Sequence, residues 1–246
     1  MSELLYKIDN LKYNLDSFIL ELKDFYIESN QKIAILGENG SGKTTLLNIL
    51  SGFYKTNKKV KVLEKFIEDI PPKIRSRRIA YLPQFSEVLF NFTVFETVLM
   101  GRFPNIDGYH FTENDIKKTE AIIKKFKLEN YKNRQFTNLS GGEKKRVMLA
   151  RIFNQESDIF LLDEPFAMLD VKHSIHLIKI LKETTKTVIC IIHDINLGIN
   201  LFDRFIFLKK GKIIYDINRE ELNENILSNV FEVNFKCVDN YFFFDL

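Results

Sequence analysis

The sequence predicts an α/β fold in which a mainly parallel sheet is covered by helices on both faces. Three features of the 246-residue chain lead there. The runs KIAIL (Lys32–Leu36), DIFLL (158–162) and TVICII (187–192) are apolar throughout, as strands buried on both faces must be. Helical patterns alternate with them. A glycine-rich turn, GENGSGKTT (37–45), joins the first of these strands to the helix-like TTLLNIL (44–50).

In chain order, β-rich runs come first: LLYKI (4–8), then FILEL (18–22) and FYI (25–27), then KIAIL. Residues 57–78 are short of pattern, basic and broken by Pro71-Pro72, and RIAYL (78–82) reads as a strand. From Thr93 to Phe126 the pattern turns helical, in FTVFETVLM (92–100) and TENDIKKTEAIIKKF (112–126), with Thr112 placed as an N-cap. LSGGEKKR (139–146) then precedes the good helix formers VMLARIF, so its glycine pair should open a helix capped by Ser140. Lys144, Lys145 and Arg146 load that first turn with positive charge, where the macrodipole favours negative, and only Glu143 fits. One explanation is an anion held by free backbone N–H groups. DIFLL, a helix over Val171–Glu183, TVICII and further short elements complete the chain. The pattern places a helical insertion at roughly residues 85–139, and no internal repeat is present.

A hydrophobic content of 45% with 28% charged residues supports a large buried core in one domain, or one domain with a subdomain. The formal charge of +3 is too mild to argue for nucleic-acid binding. Residues 55–78 hold nine Lys or Arg against three Asp or Glu, which reads as a solvated basic face, or else as a contact for an acidic or phospholipid surface. Two cysteines, Cys190 inside an apolar run and Cys237 near the end, offer no disulfide framework, which fits a reducing cytoplasm. The opening MSELLYKIDN has no signal-peptide pattern, and no apolar run approaches the roughly 18–20 residues that span a bilayer.

GENGSGKTT satisfies the phosphate-loop pattern between a strand and a helix. Its glycines let backbone N–H groups curl around phosphates, Lys43 reaches the β/γ oxygens, and the Thr44 hydroxyl can ligate Mg²⁺. DIFLLDEP (158–165) is a buried strand ending in adjacent carboxylates. Adjacent residues of an extended chain point to opposite sides, so Asp163 and Glu164 suit separate tasks, one at the Mg²⁺ and one toward an attacking water. Gln84 follows the strand of IAYLPQ and His193 that of TVICIIH. In an open parallel sheet ligands gather at the C-terminal strand edges, so both should face the crevice of Lys43 and Glu164.

The order GENGSGKTT, Gln84, LSGGE, FLLDEP, Met168-Leu169-Asp170, His193 resembles the ATPase subunit of an ABC transporter over nearly the whole chain. The resemblance implies a P-loop NTPase core with a mainly parallel sheet, an N-terminal antiparallel β subdomain and a helical insertion subdomain. It implies one ABC ATPase domain over 1–246, with 1–84 and 140–246 as catalytic core and β subdomain and about 85–139 as helical subdomain. Two copies would pair head to tail, so that Leu139, Ser140, Gly141, Gly142 and Glu143 of one close over the γ-phosphate on the other. ATP would be held by Gly37, Glu38, Asn39, Gly40, Ser41, Gly42, Lys43, Thr44 and Thr45, with Tyr13 stacking on adenine. Thr44, Asp163 and Gln84 would serve Mg²⁺, Glu164 would be the general base, His193 would contact the γ-phosphate, and Asp170 would cross the dimer interface. Thr44 stands for the commoner Ser, Glu38 for Pro and Phe166 for Thr, and the β segment after Gly52 is short and lacks its customary turn glycine.

TVFETVLMGRFP (93–104), LDVKHS (169–174), HDINLGINLFDR (193–204) and the tail NVFEVNFKCV (229–238) are similar to ATPases of iron-chelate, haem and cobalamin importers. DEPF (163–166) and VLMGRF (98–103) also resemble zinc or manganese importer ATPases. The partners implied are a second copy, integral membrane permease subunits and, indirectly, an extracytoplasmic solute-binding protein, with the chain peripheral at the cytoplasmic face of the membrane. Two rivals remain: a soluble ABC ATPase acting on nucleic acid or ribosomes, and a scaffold ATPase for iron–sulfur assembly. The chain has neither the long coiled coil nor the second ATPase unit of the former class.

Overall fold

The computed structural model describes residues 3–84, 91–106, 108, 110–239 and 241–244. Positions 85–90, where the expected insertion begins, lie outside the described residues. The strands are β1 (Leu4–Leu15), β2 (Phe18–Glu28), β3 (Lys32–Leu36), β4 (Lys61–Val62), β5 (Lys65–Phe66), β6 (Ile79–Leu82), β7 (Ile159–Asp163), β8 (Thr187–Ile191), β9 (Arg204–Lys209), β10 (Lys212–Asn218), β11 (Phe235–Val238) and β12 (Tyr241–Phe244). The α-helices are α1 (Lys43–Leu50), α2 (Pro72–Arg78), α3 (Val94–Leu99), α4 (Glu113–Lys125), α5 (Gly141–Asn154), α6 (Val171–Glu183), α7 (Ile195–Ile199) and α8 (Glu224–Phe231). They group into two compact units, residues 1–70 with 181–246, and residues 71–180.

In the first unit the strands run β5-β4-β1-β2-β10-β9-β3-β8. β3 lies between β8 and β9 and is parallel to both. Every residue of β3 and β8 is buried, which is why these sequences carry no polar alternation. β1, β2, β4 and β5 form the antiparallel part. The short runs 4–8, 18–22 and 25–27 are pieces of only two strands, because alternation continues through Leu11 to Leu15 and Asp16, at φ 51°, turns the chain directly into β2. The missing turn glycine has a visible counterpart. β4 and β5 are joined by Leu63 and Glu64, both at positive φ (48° and 65°), as a two-residue hairpin turn of this hand requires.

In the second unit β6 and β7 pair in parallel, from Ile79 opposite Ile159 to Leu82 opposite Leu162. α3 and α4 pack on α5, which also packs on β6. Phe153 of α5 anchors this core, with ring centroids 5.3 Å from Phe126 and 4.7 Å from Phe160. Beside it lies a buried polar network. Arg102, 4% exposed, pairs through Nε with Asp115 Oδ1 (2.9 Å), and its Nη1 donates to Glu156 Oε2 and to the Asn154 carbonyl (2.8 Å each). Thr112 caps α4 as expected, in a capping box with Asp115. The basic segment is less free than its composition suggests: Arg77 Nε donates to the Pro104 carbonyl (2.6 Å), Lys73 Nζ to that of Ile106 (2.5 Å), and Arg78 pairs with Asp158 (2.6 Å).

Candidate functional site

The phosphate-loop sequence turns between β3 and α1 through glycines that no other residue replaces cheaply. Gly37, Gly40 and Gly42 have φ of 145°, 76° and 104°. A Cβ on Gly37 would lie 2.1 Å from the Leu208 carbonyl oxygen, and one on Gly42 2.7 Å from Phe18 Cζ. Lys43 folds back across the loop, its Nζ donating to the carbonyls of Gly37 and Glu38 at 2.8 Å each. Ser41 is 3% exposed and its Oγ finds no hydrogen-bond partner among the described residues. Above all, α1 begins at Gly42 with no side-chain cap and no acidic residue in its first turn. A helix start with no side-chain cap, following a glycine turn and beside a buried ammonium, suits an anion of several oxygens. Asn39, Gly40 and Thr44 are exposed around it, and Thr45 is half-buried.

The other glycine-rich helix start is arranged differently. Ser140 and Glu143 close a reciprocal capping box on α5, with Ser140 N–H donating to Glu143 Oε2 at 2.8 Å and Glu143 N–H to Ser140 Oγ at 3.4 Å. The Ser140 amide holds the Glu143 carboxyl below its ordinary range. The cations that seemed misplaced in this turn point elsewhere. Arg146 is 7% exposed, donates to the Lys127 carbonyl (3.1 Å) and lies over the Tyr131 ring, while Lys145 Nζ reaches the Asp163 carbonyl at 3.5 Å. The exposed head of the helix is thus Ser140, Gly141 and part of Gly142, with Leu139 buried behind it. Met168 seats against this head: a Cβ on Gly142 would lie 2.7 Å from its carbonyl oxygen and one on Gly141 3.1 Å from its Sδ. No spacing rule in the sequence signals that contact.

Both carboxylates stand at the end of β7, although the chain leaves the extended conformation at the second. Asp163 ends the strand with no solvent exposure, and Glu164 follows, half-buried, at φ 48°. Gln84, two residues beyond β6, donates from Nε2 to Glu164 Oε1 at 3.0 Å, so the parallel pairing of β6 with β7 brings together two residues 80 apart in sequence. Asp170 caps α6, accepting on Oδ1 from the His173 amide and facing His173 Nδ1, both at 2.8 Å, and the His173 amide holds its carboxyl below the ordinary range. His193 is exposed just past β8, before Asp194 caps α7 through the amides of Asn196 and Leu197 (2.9 and 3.2 Å). Tyr13 lies on β1 opposite Leu20, whose Cδ1 would stand 3.1 Å from a Cβ on Gly42. Its strand pair therefore borders the phosphate loop.

The profile of the ABC transporter family matches residues 20–167. The chain belongs to the ABC transporter family. Two curated members share its length: the manganese transport system ATP-binding protein MntB of Halalkalibacterium halodurans is 36% identical over 85% of this chain and 84% of that protein. The petrobactin import ATP-binding protein YclP of Bacillus subtilis is 30% identical over 90% and 91%. Among solved structures, a dimeric ATP-binding cassette in a post-hydrolysis state with ADP and phosphate superposes with a TM-score of 0.76 at 27% identity, covering 90% of this chain and 100% of that one. As an ABC cassette the chain is an ATP-binding, ATP-hydrolysing enzyme with the P-loop NTPase fold, its antiparallel β part and its helical part both present.

Proposed function

We propose that this ABC ATPase powers import of an iron complex, as a siderophore or haem, or of cobalamin, working as a head-to-tail dimer on separate membrane permease subunits at the cytoplasmic face. The observation that carries the enzymatic reading is the contrast between the two glycine-rich helix starts, one without a side-chain cap beside Lys43 and the other closed by its own Ser140 and Glu143. Full-length similarity to a petrobactin importer ATPase supports the solute class, and the dimeric cassette supports the pairing. Among the described residues no helix is long and apolar enough to cross a membrane, which supports a separate permease. An extracytoplasmic solute-binding protein would deliver the solute, and nucleic acid is not a partner. The division into a core with β subdomain (1–84, 140–246) and a helical subdomain (about 85–139) belongs to the same reading.

Residues 37–45 hold the phosphates of ATP, with Lys43 exchanging its carbonyl partners for phosphate oxygens, and Tyr13 carries the base. The hydroxyl of Thr44, the carboxylate of Asp163 and the amide oxygen of Gln84 are the hard oxygen donors that Mg²⁺ takes. Gln84 commits its Nε2 to Glu164, leaving the oxygen end for a cation. When bound, Mg²⁺ neutralises charge on the β- and γ-phosphates. Glu164 accepts the proton of the attacking water, His193 contacts the γ-phosphate, and residues 139–143 of the partner copy cover it with Asp170 crossing the interface. A manganese or zinc importer is the second reading, favoured by the 36% identity to MntB. Co-purification from membranes, reconstitution with the captured permease and assay of ATP hydrolysis separates them. Stimulation by ferric siderophore, haem or cobalamin supports the first reading and stimulation by Mn²⁺ or Zn²⁺ the second. Capture of only soluble partners overturns both.

A further inference from the structure

Tyr13 does not stand alone. Tyr54, in the GFYK segment that follows α1, lies nearly parallel to it, with ring centroids 5.5 Å apart and 10° between planes, and Phe53 leans on Tyr54 at 5.6 Å. Tyr54 is tied to the phosphate-loop helix, because its amide and that of Phe53 both donate to the Asn48 carbonyl of α1, at 3.1 and 3.0 Å. Tyr13 is tied to the same loop from the other side, through its cross-strand partner Leu20 against Gly42. Two elements anchored on the phosphate loop thus converge in one aromatic stack.

We propose that Tyr54 is a positioning residue for nucleotide recognition, backing Tyr13 so that its opposite face is presented to the purine of ATP. A flat base needs about 3.5 Å of separation from each ring it touches, roughly 7 Å between two parallel rings. The 5.5 Å stack has no room for it, so the base uses the face that Tyr54 leaves open. Offset stacking fixes a ring's tilt and adds favourable energy beyond burial alone. The position also sets the distance from base to phosphates, since both ends of the site hang on α1.

This rests on the reading of Tyr13 as the adenine contact, and the experiment keeps the two apart. The chain contains no tryptophan, so Tyr13→Trp is a unique fluorescent reporter whose quenching by added ATP follows stacking directly. ATP and inorganic tripolyphosphate affinities are measured for wild type, Tyr54→Ala, Tyr54→Phe and Tyr13→Ala. Tyr54→Ala is expected to weaken ATP binding by about 3- to 10-fold, to leave tripolyphosphate binding unchanged because it has no base, and to lessen the quenching in the Tyr13→Trp background. Tyr54→Phe, which keeps the ring, should stay within about twofold of wild type. If Tyr13→Ala weakens ATP binding while Tyr54→Ala does not, the proposal fails and the reading of Tyr13 survives. If Tyr13→Ala has no effect, that reading fails and takes the proposal with it. Equal loss of ATP and tripolyphosphate binding in Tyr54→Ala would mean a folding defect, and tighter ATP binding would mean that Tyr54 occupies the base's place. Either overturns the proposal.

Discussion

Glu164 sits at φ 48°, in a region that costs an L-residue about 1–2 kcal/mol, directly after a buried strand. Such strain persists where surrounding structure over-determines it, and here the Gln84 amide and the end of β7 hold the carboxylate where it is. Glu164→Gln keeps shape and hydrogen bonding while removing the proton acceptor. Hydrolysis is expected to fall about 10²- to 10⁴-fold with ATP affinity unchanged, read by single-turnover assay and equilibrium binding. Turnover near the wild-type rate would show that another group takes the proton. The position of Asp163 and Glu164 at a strand end was legible from the apolar run before them. The hydrogen bond from Gln84 was not, because only strand pairing brings residues 80 apart into register.

At the scale of elements, the strands buried on both faces and the helices capped by Thr112 and Ser140 were readable, since apolar runs and capping residues are local signals. The extents of β1 and β2 were not, because two consecutive exposed residues in each, Asp9-Asn10 and Lys23-Asp24, shift the phase of the alternation without ending the strand. The charges of α5 misled for a related reason: sequence gives the position of Arg146 but not the Tyr131 ring and Lys127 carbonyl that receive it. The start of α4 carries a pH signature. The Thr112 hydroxyl, 2.7 Å from Asp115 Oδ2, is the first cause that lowers the Asp115 carboxyl from 3.8 to about 2, followed by the Thr112 amide and Arg102. A carboxyl whose folded value lies below its unfolded value stabilises the protein above the unfolded value and loses that contribution as pH falls toward the folded one. Asp115 should therefore contribute about 2 kcal/mol at pH 5–7, vanishing between about pH 4 and 2. In urea unfolding of nucleotide-free protein, Asp115→Asn is expected to narrow the gap to wild type as pH drops from 6 to 3. A constant gap would assign the loss to packing instead.

For the whole molecule, the closed cap on α5 bears on the question of whose phosphate its glycines face. If residues 139–143 serve a second copy, cysteines at Asn39 and Gly141 should crosslink between chains, only with ATP present, in a Glu164→Gln background. Exposed Cys237 is replaced by Ser in that experiment and buried Cys190 retained. Crosslinks confined within single chains, seen as unshifted bands on denaturing gels, would show that the signature serves its own subunit. The family itself was legible because six short motifs keep their order through intervening residues of little pattern. The solute was not, since none of the quoted motifs carries a group that would select one.

The uncapped start of α1 means that, on the proposed reading, part of the protein's stability comes from what it binds. Where α5 caps its first turn with its own Ser140 and Glu143, α1 has no side-chain cap, and on the proposed reading a phosphate-bearing ligand takes that place. Its melting temperature is then a property of chain and buffer together, rising with the logarithm of phosphate-bearing ligand, by about 2.7 kcal/mol of stability at a hundredfold excess over Kd. Calorimetry at stepped ADP concentrations should trace that line, and Lys43→Ala should flatten it.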